Sequence, residues 1–174
     1  MSLTARFIIS IVLTGGCLFG CASNPTEGYA TTGLYQSDIQ TIAVPILEND
    51  TFDRGLEFEL TDALIKEIEG RTPYRIMGQT RADTVLLAQI RQVELTSLSK
   101  SRLSGLSEEQ LVSVTIDFRW EDLRTGRSLL ERRAFTGHGL FVPSTPSGEP
   151  IELAQFNAVQ SLARDIVSEM RSEW

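Results

Sequence analysis

Between Val112 and Glu121 the chain alternates apolar and polar side chains residue by residue. Val112, Val114, Ile116, Phe118 and Trp120 fall on one side, and Ser113, Thr115, Asp117, Arg119 and Glu121 on the other. That period of two predicts a strand with one face in a core and one in water. Asp122-Leu-Arg-Thr-Gly-Arg127 reads as a turn in which Gly126 can take a positive φ. Ser128–Gly137 then returns as the hairpin partner. Upstream, Thr84–Leu95 is a strand with Leu86, Ala88 and Ile90 on one face. Its alternation slips near Val93 and Leu95, which predicts a bulge. Two short strands, Gln40–Pro45 and Thr72–Met77, flank a helical pattern.

That helix is expected over Arg54–Glu69, where Leu56, Leu60, Ala63, Leu64 and Ile68 recur at helical spacing. Asp53 is the expected N-cap, Glu57 and Glu59 sit near the positive end of the helix dipole, and Gly70 closes it. Asn49-Asp50-Thr51 reads as turn and helix-start chemistry. After the loop Pro143–Pro150 a closing helix is expected from Pro150 to Ser172. Its apolar stripe is Leu153, Phe156, Val159, Leu162, Ala163, Ile166 and Met170. The order β-α-β-β-β-β-α, with half-wet strands and two amphipathic helices, predicts an α+β two-layer sandwich. Both helices should pack on one face of a four- or five-stranded sheet.

The N-terminus reads differently. Arg6 precedes the apolar run Phe7–Leu13, and Gly15, Gly16 and Gly20 follow, as in a secretory signal over residues 1–20. The run to Phe19 falls short of the about 20 apolar residues that a membrane span needs. Both cysteines, Cys17 and Cys21, lie here, which leaves no thiol in the rest of the chain for a disulfide or for catalysis. Leu18-Phe19-Gly20-Cys21 resembles a bacterial lipobox, with Phe19 bulkier than the usual residue, and makes Cys21 the expected lipidated N-terminus. Cys17, with Thr14 three residues before it, fits the pattern worse. The alternative is ordinary cleavage after the small-x-small triplet Gly20-Cys21-Ala22, leaving a soluble periplasmic protein. In the lipoprotein pattern, Ala22 after the cysteine implies sorting to the outer membrane. Residues 21–38, rich in Ser, Asn, Pro, Thr and Gly, then form a tether to the domain at 39–174.

Charge narrows the function. The chain carries a net −7, and Arg6 is the only charged side chain before Cys21, so 15 basic and 23 acidic residues follow. That balance argues against nucleic-acid binding. No nucleophile elbow, phosphate loop, His-x-x-x-His or Cys-x-x-Cys is present, so neither a catalytic site, a metal site nor a cofactor is expected. The single histidine, His138 in Gly137-His-Gly139, reads as a turn or strand-end residue. Basic side chains cluster in two places: Lys100 and Arg102 in the Ser-rich stretch Leu98–Leu106, taken as a long loop, and Arg124 and Arg127 at the hairpin end.

The block Thr41-Ile-Ala-Val-Pro-Ile-Leu-Glu-Asn-Asp-Thr-Phe-Asp-Arg-Gly-Leu-Glu-Phe-Glu-Leu, with Ala82-Asp-Thr84 opening a strand and Asp122-Leu-Arg-Thr-Gly126 in a hairpin, resembles the lipopolysaccharide-assembly lipoprotein family LptE. The resemblance implies a small α+β lipoprotein that sits inside an outer-membrane β-barrel, the LptD translocon, and helps deliver lipopolysaccharide to the outer leaflet. It carries over no catalytic residues. Under it, Lys100, Arg102, Arg124 and Arg127 are expected to meet the anionic groups of lipopolysaccharide, with Leu98, Leu103 and Leu106 beside its acyl chains. Exported lipoproteins of the curli-secretion or peptidoglycan-synthase-activator type resemble the same opening, with Ile-Ala-Val and an Asn before a helix.

Overall fold

The computed structural model describes residues 35–36, 38–100, 102, 107–143 and 148–171. The signal segment, Cys21 and most of the tether lie outside them, as do Leu103 and Leu106. Among the described residues six strands and two helices follow in the order β1 (Thr41–Ala43), β2 (Glu48–Asn49), α1 (Leu56–Arg71), β3 (Arg75–Ile76), β4 (Thr84–Lys100), β5 (Ser107–Asp122), β6 (Ser128–Phe141) and α2 (Ile151–Glu169). The sheet runs β3-β1-β4-β5-β6 and is mixed. Both β1 and β2 pair in parallel with the first half of β4, and the long hairpins β4-β5 and β5-β6 are antiparallel. This is the α+β two-layer sandwich that the patterning predicts, with α1 and α2 side by side on one face.

Register explains why one face is dry. Leu86, Ala88 and Ile90 of β4 oppose Trp120, Phe118 and Ile116 of β5, and Val93 and Leu95 oppose Val114 and Val112. The ladder shifts between Ile90 and Gln92, so Arg91 is the extra residue of a bulge. One inserted residue restores Val93 and Leu95 to the core-facing side, which is the physical origin of the slip in alternation. Under this face lie Leu60, Leu64 and Ile68 of α1 and Leu162 and Ile166 of α2, all fully buried. Each such side chain contributes about 1.5–3 kcal/mol.

The second helix departs from expectation in an instructive way. Leu153 and Phe156 are 42% and 51% exposed, whereas Ala154, Ala158 and Val167 are buried with Val159, Leu162, Ala163, Ile166 and Met170. The cause sits beneath it on β6. Gly137 and Gly139 face α2, and a Cβ on Gly137 would lie 2.7 Å from the Ala158 carbonyl oxygen. One on Gly139 would fall inside the Ala154 backbone. Helix and strand approach almost backbone to backbone, so α2 turns its small residues inward and rolls Phe156 outward.

Helix starts differ too. The N-cap of α1 is Gly55, at φ 103°, and not Asp53. Asn49 and Glu57 organise this turn. The Asn49 amide donates to the Asp53 carbonyl (2.9 Å) and to Glu57 (2.7 Å), its Oδ1 accepts from the Thr51 N–H (2.9 Å), and Glu57 reaches back to the Gly55 N–H (3.0 Å). These bonds, the one from Asn49 first, hold the Glu57 carboxyl below its ordinary value. Helix α1 ends one residue past Gly70, and α2 begins after Pro150, which serves as its cap.

The N-terminal entry is pinned at one end of the sheet. Tyr35, read as tether, packs edge-on against Tyr74 at 5.7 Å and donates its hydroxyl to the Arg71 carbonyl (2.8 Å). Burial pushes the Tyr74 hydroxyl up to about 12, and it accepts the Gln36 N–H. Asp83, at the mouth of β4, accepts from the Gln40 N–H, the Thr41 N–H and the Thr41 hydroxyl (3.1, 3.0 and 2.8 Å), which ties β1 to β4. We call this end the base, and the β4-β5 connection the tip.

Candidate functional site

The four basic residues singled out in the sequence do not form one cluster. Lys100 closes β4 and pairs with Ser107, and Arg102 is an exposed turn residue at the tip. Arg124 and Arg127 occupy the β5-β6 turn at the base. The 16 residues of β5 lie between them, about 50 Å at the usual strand rise. The expected long loop Leu98–Leu106 begins inside a strand: β4 runs through Leu98 to Lys100, and β5 resumes at Ser107. Among the described residues Lys100, Arg102 and Arg127 form no ion pair. Arg124 does. Its Nε lies 3.2 Å from Asp122, its Nη2 3.7 Å from Asp38, and its N–H donates to Asp122 at 2.8 Å.

Those Arg124 bonds, side chain first, hold the Asp122 carboxyl at about 2, below its ordinary 3.8. A carboxyl depressed by folding contributes stability that is present above its unfolded value and is lost as pH falls through the folded one. The Asp122→Ala variant should therefore melt below the wild type at neutral pH. The gap should close between about pH 4 and pH 2. A gap that persists unchanged into strong acid means that Asp122 acts by some means other than its charge.

The sheet face turned away from the helices is polar and organised. Ser113 Oγ lies 3.0 Å from His138 Nδ1, and the Thr115 and Thr136 hydroxyls are 3.0 Å apart on the next rung. His138 is thus an inner residue of β6 on the wet face, not a turn or strand end. The strand continues past Gly137 because the two glycines serve the helix side. No carboxylate completes the Ser113-His138 pair among the described residues, and no group of His, Cys, Asp and Glu there could hold a metal ion.

Further along, the bulge residue Arg91 reaches across this face to two acids. Its Nη1 meets Asp50 and its Nε meets Asp117, each at 2.8 Å. Asp117 also accepts the Ala134 N–H (2.9 Å), where β6 carries its own bulge with Ala134 at φ 52°. These bonds, the one from Ala134 first, keep Asp117 below the ordinary carboxylate value. Between the β1-β2 connection and the β6 bulge the face dips into an open groove of about 660 Å³. Its floor is Leu87, Gln89, Arg91, Asp117 and Arg119, with Ile46 on one wall and Glu131 and Arg133 on the other. Sequence reading missed this groove, because its residues come from four strands and two connections. The only local signal was the slipped alternation that places Arg91 on the bulge.

Fold and surface together define a class: a two-layer α+β domain that offers a structured polar sheet face and an extended hairpin, without an assembled catalytic or metal centre among the described residues. The chain belongs to the lipopolysaccharide-assembly family LptE, whose model matches residues 39–172. Solved structures share the fold at low identity. A hypothetical protein of Chlamydia trachomatis is 10% identical over 75% of this chain and 95% of that one, with a TM-score of 0.53. A Xanthomonas campestris protein is 12% identical over 79% and 89%, with a TM-score of 0.51. The rare lipoprotein B of Shewanella oneidensis is 12% identical over 75% and 93%, with a TM-score of 0.50. No curated protein matches the chain in sequence.

Proposed function

We propose that the protein is a non-enzymatic outer-membrane lipoprotein, anchored through Cys21, that assists lipopolysaccharide assembly as the partner of a β-barrel translocon of the LptD kind. The family match over residues 39–172 carries this reading and favours it over the curli-secretion and peptidoglycan-synthase-activator types. The architecture is in keeping with it. Among the described residues helices cover one sheet face only, which leaves the polar face and the tip for a partner. No helix among the described residues is long and apolar enough to cross a membrane. Solubilising outer membranes in mild detergent and capturing the tagged full chain should recover a β-barrel in stable complex, and depletion should stop lipopolysaccharide reaching the surface. Capture of no barrel, with surface lipopolysaccharide unchanged after depletion, sinks the assignment.

The distance between the basic pairs makes their contributions separable, since sites this far apart act additively. In Lys100→Glu/Arg102→Glu, unpaired tip cations are reversed, so affinity for lipopolysaccharide should fall about tenfold at low salt and by less as salt screens the contact. Arg124→Glu/Arg127→Glu instead places a carboxylate against Asp122 and Asp38, and its first effect should be a lower melting temperature. A tip variant that binds as the wild type does removes Lys100 and Arg102 from the contact.

A further inference from the structure

We infer that the groove on the outer sheet face is a glycan-binding site, which takes sugar rings rather than phosphate groups. The inference rests on the lipopolysaccharide reading for the source of the sugar but not for the chemistry. The groove is of a size usual for small-ligand sites, which span about 300–1,000 Å³. Its charge argues first against a phosphate. The guanidiniums of Arg91, Arg119, Arg132 and Arg133 are each already matched within the protein, by Asp50 and Asp117, Glu121, Glu169, and Glu131 respectively. The lining itself holds Glu48, Asp117 and Glu131 against these four arginines, but the partners Asp50, Glu121 and Glu169 bring the acids beside them to six, so no local positive field remains to hold a doubly charged group.

The same pairing suits a sugar. Neighbouring ring hydroxyls each donate and accept. Arg91 held against Asp117 at 2.8 Å presents fixed N–H donors beside carboxylate oxygens with acceptor capacity to spare, and Gln89 adds an amide locked to Asp50 at 2.8 Å. Because these groups already restrain one another, little side-chain entropy is lost when a ligand arrives. Beside them Ile46, 62% exposed, and the half-buried Leu87 supply an apolar strip for the C–H face of a pyranose ring.

The glycan could be the core oligosaccharide of lipopolysaccharide or the disaccharide of peptidoglycan, and the test separates them. Calorimetric titration of the full chain in detergent is run with three probes: dephosphorylated, delipidated core oligosaccharide; lipid A without core sugars; and a peptidoglycan disaccharide-peptide. The variant is Arg119→Ala/Arg133→Ala, chosen because these side chains are 48% and 80% exposed, so their loss leaves no buried charge unpaired. Circular dichroism confirms that it folds. The expected result is core binding that persists in raised salt and weakens about tenfold in the variant. Binding of the peptidoglycan fragment alone, weakened in the same variant, upholds the glycan site and counts against the lipopolysaccharide reading. Salt-sensitive binding of lipid A alone overturns the glycan site and leaves that reading standing. No binding, or core binding that the folded variant does not weaken, overturns the inference.

Discussion

Gly139→Val should leave the protein unable to hold its native packing under conditions where the wild type is stable. The Cβ of any side chain at 139 would occupy the space of the Ala154 backbone, and backbone cannot swing aside as a flexible side chain can. Overpacking of a filled core costs about 1–3 kcal/mol and occasionally more. Here the obstruction is the first turn of α2 itself, so the upper end applies. For a domain of this length about 3 kcal/mol lowers the melting temperature by roughly 10 °C. Gly137→Ala should cost less, since one of its obstructions is the Leu162 side chain, which can shift. His138→Ala, between them on the wet face, should lose only its contact with Ser113. Thermal unfolding by far-ultraviolet circular dichroism ranks the three. A Gly139→Val protein that melts within a degree or two of the wild type means that α2 does not lie on β6 as described.

The second large effect concerns residence. Cys21→Ser should move the protein from the membrane fraction to the soluble periplasmic fraction. Each acyl methylene buried in a bilayer contributes about 0.8 kcal/mol, so several chains hold a protein that no helix among the described residues can anchor. Cys17→Ser should change nothing. Mass spectrometry of the mature wild-type N-terminus decides the chemistry: an acylated Cys21 is expected, and an unmodified start at Ser23 means that ordinary cleavage operates instead.

The parts of the fold that were legible in the sequence are those with a core on one side and water on the other. β5 announced itself through Val112–Trp120, and the Arg91 bulge through a slip of one residue. The turn declared itself through Gly126, and that glycine does take a positive φ, 70°. Legibility failed where that contrast disappears. β2, which no expected strand covers, is two residues long, too short to show a period; β3 is as short but falls within the expected strand Thr72–Met77. Around Leu98–Lys100 β4 has run past the layer of helices, so neither face is buried and the strand resembles a Ser-rich loop. In α2 a large Phe156 suggests a core position, yet the glycines of a distant strand choose Ala154 and Ala158 instead. The basic clusters were visible locally, but their separation along β5 and the Arg124-Asp122-Asp38 contacts depend on pairing. The groove was out of reach for the same reason, since Asp50, Arg91, Asp117 and Arg133 meet only through the sheet.

The partial cover on β4 bears on how the protein behaves once purified. β1 and β2 shield its outer side only as far as Ile90, and beyond Arg91 no described strand lies beside Gln92–Thr96. A bare edge of this kind is a template on which a stray extended chain can grow a sheet. The opposite margin is protected: β6 is kinked by its bulge at Ala134 and carries the charged Arg132 and Arg133. Self-association of the isolated domain should therefore start from the β4 side. A lysine introduced at Thr96 is the economical way to keep concentrated samples monodisperse.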